Sequence, residues 1–423
     1  MSFLRNLDII AFKEALFRVI KKHEILRTVF KEDDEKNIRQ FITPSEEFKF
    51  SIGCDDFSGH SDKEFLLEEE IQQTAGFVFN LFKGPLFKAK IIRIDREHHT
   101  LLFVIHHIIS DAWSLQLLVE EISSTYNSIL KKEAILPSSK LDIQYKEYSY
   151  WLKHQIESNV ITNTYWMKEL QGHLKPLQLK YDYLQETISE DQDSKIEFIL
   201  NPAVNSAIKK IAKKLNVTEF TFHLAAFFSF LHLQTEQSDI ILGVPFAGRV
   251  HANLEDQLGY YVNLLPIRIK LQQDENFDSI IRLVQDKLSK AFEHQMYPID
   301  LILRDLEFER GDRGTNFINT GFTWNELAQD EFSINENLKV KAQSVATAQV
   351  KYDLWVISNG SHFTLEYRKE AFSSATIELF VERYLVFLEE VSKDIEQEIA
   401  AYSFKIQREK ELEASRINIE INF

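Results

Sequence analysis

Cysteine is nearly absent from this chain. Cys54 is the one thiol in 423 residues, which excludes an internal disulfide framework and a cysteine-rich zinc motif. That usage fits a reducing, cytoplasmic setting. Proline and glycine are scarce, at 8 and 12 residues, so long packed elements are expected rather than linkers or low-complexity tracts. Basic residues are in deficit: 49 Lys+Arg against 65 Asp+Glu leave a formal charge of -16, which disfavours nucleic acid and anionic membrane surfaces as partners. The N-terminus shows no basic region followed by an apolar stretch and a cleavage site. The longest apolar helix candidate, Phe220 to Leu233, is short of the ~20 residues needed to cross a bilayer and contains His223 and His232, so it reads as a buried helix.

What the chain does have is hydrophobic mass. Residues of that class make up 44%, phenylalanine alone numbers 33, and the length exceeds the ~250–300 residues a single core usually serves. Two lobes are expected. Ile9 to Ile25 reads as an amphipathic helix with Ala11, Ala15, Leu16 and Ile20 on one side, and Lys63 to Gln73 as an acidic helix ending near Gly76. Pro85 to Ile94 and Thr100 to Ile105 read as strands joined by the Asp95 to His99 turn. A loop at Leu136 to Ser139 leads to a helix carrying Trp151. The polar stretch Ser189 to Ser194 is the best lobe boundary, and Asp193 to Leu200 opens a second strand, helix, strand series. Mixed elements in this order give an α/β (α+β layered) fold.

The chemistry concentrates at His106-His107-Ile108-Ile109-Ser110-Asp111-Ala112-Trp113-Ser114. The apolar run before it is β-rich, and Leu115, Leu118, Ile122 and Tyr126 after it recur at helical spacing, so the histidines sit at a strand end and the aspartate at a helix start. An imidazole with a pKa near 6.5 can take a proton from an amine or hydroxyl nucleophile at neutral pH, which suits acyl transfer. A second doublet, His98-His99, has no aspartate at the matching offset and reads as a solvated turn. His106 is assigned a structural role, because side chains alternate along a strand and only His107 then faces the reaction. Asp111 can cap the following helix or enter an ion pair. Ser114 can cap the same helix, whose amides would favour charge developing on an acyl oxygen. A metal held by His106, His107 and Asp111 is disfavoured because adjacent strand histidines diverge. Cys54 reads as a packing residue.

These residues, with others in order along the chain, resemble the condensation domains of nonribosomal peptide synthetases, whose core motif is His-His-x-x-x-Asp-Gly-x-Ser. Lys22-His23-Glu24-Ile25-Leu26-Arg27-Thr28, Tyr145 to Trp151, Leu242 to Arg249, Leu258 to Arg268, His294 to Pro298 and Lys351 to Leu354 are similar to further family segments. Ala112 stands where the family has glycine, narrowing the path of the thioester. Leu264 replaces a threonine, and Gly314-Thr315-Asn316-Phe317 is a loose version of an Arg-Asn-Pro-Leu segment. The family's first motif has no counterpart, so its first strand and helix are expected to be missing.

The resemblance implies two chloramphenicol acetyltransferase-like lobes in a V-shaped pseudo-dimer with a central tunnel. Residues 1–185 would form the N-terminal lobe and 186–400 the C-terminal lobe, bridged near 245–265 and 325–350, with 401–423 starting an interdomain linker. It further implies His107 as the active-site imidazole, acting as base or by positioning, with Asp111 ion-paired to Arg268 as support. Ala112 and Asn263 would line the tunnel, and Trp113, Trp324 and Tyr352 would be core or tunnel wall. No permanent cofactor or metal is implied. Substrates would arrive on the phosphopantetheine arms of donor and acceptor peptidyl carrier proteins, with an adenylation domain following the C-terminus. The expected reaction is amide formation between carrier-bound thioesters. Epimerisation, or a catalytically silent docking domain of the same fold, are the alternatives.

Overall fold

The computed structural model describes residues 2–4, 7–133, 141–183, 194–272, 274–307, 317–325, 331–335, 338–341 and 352–411. In chain order the elements are β1 (Ser2–Leu4), α1 (Ile9–Lys22), β2 (Thr28–Glu32), β3 (Ile38–Ile42), β4 (Gly53–Asp56), α2 (Lys63–Ala75), β5 (Phe87–Arg93), β6 (His98–Ile105), α3 (Ala112–Leu130), α4 (Tyr145–Glu157), α5 (Thr164–Glu169) and β7 (Lys195–Ile199). There follow α6 (Pro202–Leu215), α7 (Glu219–Thr235), β8 (Asp239–Phe246), β9 (Asn263–Lys270), α8 (Phe277–Glu293), α9 (Ile299–Asp305), β10 (Thr320–Trp324), β11 (Glu331–Asn335), β12 (Leu338–Lys341), β13 (Leu354–Ser358), β14 (His362–Tyr367) and α10 (Ser374–Lys393). The expected loop at 136–139, most of the boundary at 189–194, the 314–316 part of the loose motif, Lys351 and residues 412–423 lie outside the described residues.

The chain divides into two compact units: Met1–Val160 with Ala247–Val262 and Leu327–Ala348, and Ile161–Phe246 with Asn263–Glu326 and Gln349–Phe423. In the first, the strand order is β11-β12-β1-β6-β5-β4. β5 and β6 are antiparallel with Phe87 opposite Ile105 and Arg93 opposite His99, so the hairpin read from the sequence is present. Its turn is shorter than expected. His98 and His99 already belong to β6: His98 is exposed and ion-paired with Asp95 at 2.7 Å, whereas His99 is buried like the three residues after it, and burial lowers its pKa. Cys54 is exposed on edge strand β4, so the packing role expected for it is not found.

Helix α1 starts where Asp8 accepts the Ala11 N–H at 2.9 Å. It ends at Lys22 rather than at Ile25. His23 leaves the helical conformation, and its Nε2 lies 2.6 Å from Glu121 of α3, which also receives the Lys22 ammonium at 2.5 Å. Burial pushes the Glu121 pKa up, but the hydrogen bonds and charges of His23 and Lys22 prevail and hold it below its ordinary value. The buried Arg27 guanidinium then collects the carbonyls of Ile20, Lys21 and Thr43. Ala11, Phe12, Ala15, Leu16, Val19 and Ile20 of α1 pack with Leu118, Ile122 and Tyr126 of α3 and with Phe87, Ile91 and Leu101 of the sheet.

The second unit is built on the sheet β7-β14-β13-β10-β8-β9, with β10 parallel to both β8 and β13. Helix α7, the apolar stretch of the sequence, is buried on every side from Thr221 to His232, as a helix inside a core must be. His223 of this helix is wholly buried against Phe222, Trp324 and Phe363, and among the described residues neither ring nitrogen finds a hydrogen-bond partner.

Burial alone pushes the His223 pKa down to about 3, so the folded chain keeps this ring neutral while the unfolded chain protonates it below about pH 6.5. At pH 7.5 the group contributes nothing through protonation. Stability is lost as pH falls from about 6.5 toward 3, by about 2 kcal/mol at pH 5. Urea melts at pH 7.5 and pH 5 are expected to show a drop in the wild type that His223→Phe reduces by about that amount. An equal drop in both proteins would show that His223 is not held neutral.

Candidate active site

Strand β6 ends at Ile105, and a 3-10 turn over His107–Ile109 precedes α3. Neither motif histidine is therefore in the strand, and their separation comes from the turn rather than from alternation. His106 caps it: its Nδ1 accepts the Ile108 N–H at 3.1 Å, its own N–H donates to the Leu86 carbonyl at 2.8 Å, and its ring lies edge-on to Phe79. Burial, then the neighbouring charge of His107, lower its pKa, which suits a ring nitrogen that must accept. The His106 ring is therefore oriented by the turn it caps, not by strand alternation as expected from the sequence. His107 is exposed on the turn, with its ring 5.1 Å from that of Tyr260.

Asp111 fills both roles considered for it. Its Oδ1 accepts the Ser114 N–H at 2.8 Å, which makes it the N-cap of α3, and lies 3.3 Å from Nη2 of Arg249. Its Oδ2 accepts the Tyr261 N–H at 3.0 Å. The ion-pair partner is thus Arg249 and not Arg268. Arg268 belongs to the second unit, where it holds Asp239 through Nε at 2.8 Å and Nη2 at 2.7 Å. The register explains the pairing. Asp239 of β8 lies opposite Lys270 of β9, so Arg268 is its diagonal neighbour on the same face. The remaining Arg268 donor, Nη1, reaches the carbonyls of Glu169 and Gln171.

Ser114 does not cap the helix. Its hydroxyl donates to the Gly259 carbonyl at 2.8 Å and accepts from the Gly259 N–H at 3.0 Å and from Arg249 Nη2 at 2.8 Å. Arg249 spends its other terminal nitrogen on the carbonyls of Leu254 and Gln257, and its guanidinium lies over the Tyr261 ring at 4.2 Å and the Trp113 ring at 5.6 Å. The start of α3 is thereby tied to residues 249–261. Trp113 adds a bond from Nε1 to the Glu255 carbonyl at 3.0 Å, and Tyr145 of α4 donates to the Tyr260 carbonyl at 2.8 Å. Two glycines are sterically required. A β-carbon on Gly248, at φ +66°, would lie 2.0 Å from the Tyr261 carbonyl oxygen, and one on Gly259 would lie 2.2 Å from the Tyr145 ring.

Sequence reasoning missed Arg249, Tyr145, Gln257 and Tyr260 as site residues, although each except Gln257 falls in a family-like segment. The Gly248-Arg249 pair was the available signal. Of the remaining candidates, Ala112 is exposed beside the cap, as is Trp113. Asn263 uses its whole amide inside the second unit, donating to the carbonyls of Gln295 and Tyr297 and accepting from the Ile299 N–H at 3.1 Å. Trp324 packs on Phe220 and His223, and Tyr352 on Trp355, both in the second unit. Among the described residues no His, Cys, Asp and Glu cluster fit for a metal ion occurs, and no helix is long and apolar enough to cross a membrane.

Breaking one side of a buried ion pair strands the other charge. Arg249→Met and Asp111→Ala are each expected to cost about 3 kcal/mol in urea unfolding. Asp111→Asn keeps a capping oxygen and should cost less. In double-mutant cycles Asp111 and Arg249 should couple by at least ~1 kcal/mol, whereas Asp111 and Arg268 should be additive within ~0.5 kcal/mol. Coupling confined to Arg268 would refute the assigned partner.

A sequence model of the Condensation domain family matches residues 1–412. Among curated proteins, a plipastatin synthase polypeptide of Bacillus subtilis (strain 168) is 31% identical over 409 residues, covering 95% of this chain and 15% of that protein. Bacitracin synthase 3 of Bacillus licheniformis is 30% identical over 426 residues, 99% of this chain and 6% of that protein. The chain thus spans a small part of these relatives' length. Among solved structures, the condensation domain from Monacolin K polyketide synthase MokA aligns with a TM-score of 0.79 at 18% identity over 95% of this chain and 92% of that one. The X-domain from teicoplanin biosynthesis aligns at 0.81 and 18%, over 95% and 91%. The fold is the layered α/β arrangement of chloramphenicol acetyltransferase-like domains, and the chain belongs to the condensation-domain family of nonribosomal peptide synthetases.

Proposed function

We propose that this domain forms an amide bond between two carrier-bound substrates. A donor acyl or peptidyl group, held as a thioester on the phosphopantetheine arm of one carrier protein, is attacked by the amine of an aminoacyl group on a second carrier. The C–N bond forms, the C–S bond breaks, and the proton lost by the amine ends on the departing thiolate sulfur. His107 takes that proton in transit or holds the amine on its line of attack. The thioester supplies the driving force, so no nucleotide or metal is consumed. Tethering raises the local concentration of both reactants. An adenylation domain after the C-terminus and a cytoplasmic setting fit the same reading.

The observation that carries this reading is an exposed His107 on a turn fixed from both sides. His106 caps the turn before it, and Asp111, bound by Arg249, starts the helix after it. Positioning and general-base help are each worth orders of magnitude in rate, and both demand such a fixed backbone.

Purified protein incubated with loaded donor and acceptor carrier proteins is expected to shift the donor's acyl mass onto the acceptor carrier. His107→Ala should lower that rate by ~10²- to 10⁴-fold while the thermal midpoint stays near wild type, since the ring is exposed. A variant as fast as wild type would remove His107 from the chemistry. Retained carrier binding with no mass transfer by wild type, across a broad panel of substrates, would point to a docking domain instead. Proton exchange at the substrate α-carbon would point to epimerisation.

A further inference from the structure

We propose that Tyr260 is the positioning residue of the His107 imidazole, an inference that rests on the acyl-transfer reading above. Among the described residues the His107 side chain has no hydrogen bond or ion pair. The nearby carboxylate, Asp111, is occupied by Arg249 and by the amides of Ser114 and Tyr261 and does not orient it. What meets the His107 ring is Tyr260, with centroids 5.1 Å apart and planes at 78°, the edge-to-face arrangement aromatic pairs prefer.

The backbone under Tyr260 is pinned at consecutive residues. Gly259 is held through both N–H and C=O by Ser114, the Tyr260 carbonyl by the Tyr145 hydroxyl at 2.8 Å, and the Tyr261 N–H by Asp111 at 3.0 Å. The buried Tyr261 ring is packed between Tyr145, at 5.1 Å, and Tyr148, at 4.6 Å. With its neighbours held this way, Tyr260 can present a ring to solvent without wandering, and it is 42% exposed. It is a fixed aromatic wall beside a histidine for which the described residues supply no other orienting partner.

The wall has two consequences. An edge-to-face contact biases the His107 rotamer by about two- to twelve-fold. An aromatic neighbour also tolerates the positive charge that the imidazole carries while it holds the amine proton. Both depend on the ring and neither on the phenol oxygen, so phenylalanine should substitute and an aliphatic residue should not.

The test pairs rate with a direct view of the ring. Protein labelled at the histidine ε1 carbon is compared as wild type, Tyr260→Phe and Tyr260→Leu by carbon–proton correlation spectra, with the His107 signal assigned by its loss in His107→Ala. Condensation rates and thermal midpoints are measured on the same samples. Tyr260→Leu is expected to move the His107 signal by losing the ring-current shift and to lower the turnover number about five- to ten-fold, with KM for the carriers and the midpoint close to wild type. Tyr260→Phe should restore both signal and most of the rate. A His107 signal unmoved in Tyr260→Leu, or a rate that phenylalanine fails to rescue, overturns the proposal. If wild type transfers no acyl group, the proposed function fails, and the spectra alone then decide whether Tyr260 orients His107.

Discussion

A buried carboxylate in contact with a buried guanidinium organises this site. Asp111 and Arg249 have side chains only 4% and 2% exposed, so neither charge is served by bulk water, and each must be satisfied by protein. Asp111 therefore takes an amide from the helix it caps and an amide from Tyr261, and Arg249 takes two carbonyls and the Ser114 hydroxyl. Such a pair is weak evidence for net stability, because an apolar replacement could do as well. Its value lies in specificity: it admits one mutual placement of the turn, the helix start and residues 249–261. The position of His107 and the aromatic ring beside it follow from that placement.

A second polar cluster secures the frame behind the first. His23 and Lys22 at the end of α1 both bind Glu121 of α3, and Gln144, just before α4, donates to the Lys22 carbonyl and accepts from the Glu24 N–H. The end of α1 is thus tied to the middle of α3 and, through Gln144, to the start of α4, while the apolar faces of α1 and α3 fill the core. Each of these residues carries a charge or a polar group into a poorly hydrated place and finds a partner there, the rule for buried polar groups.

Much of this was legible from residue order. The change from strand to helix periodicity marked the helix start at Asp111, though it left the histidines on the strand end and not on the turn, and the largely apolar stretch from Phe220 to Leu233 announced a buried helix. The identity of the Asp111 partner was not legible. Two arginines, Arg249 and Arg268, lie within the family-like segments Leu242 to Arg249 and Leu258 to Arg268. Only the β8–β9 register shows that Arg268 is already claimed by Asp239 as a diagonal neighbour. The early end of α1 escaped for a related reason, since it depends on Glu121, almost a hundred residues away in sequence. His99 was misplaced because the charged turn Asp95 to His99 runs two residues into β6, whose residues from His99 to Leu102 are all buried.

Amide hydrogen exchange tests the central claim most directly. If Asp111 joins the helix start to residues 249–261, the N–H groups of Ser114 and Tyr261, which both donate to its carboxylate, should show comparable protection in the wild type. Both should exchange at least tenfold faster in Arg249→Met, while the amides of the β5–β6 hairpin keep their rates. A Tyr261 amide that exchanges like an open loop in the wild type, with Ser114 protected beside it, would contradict the account.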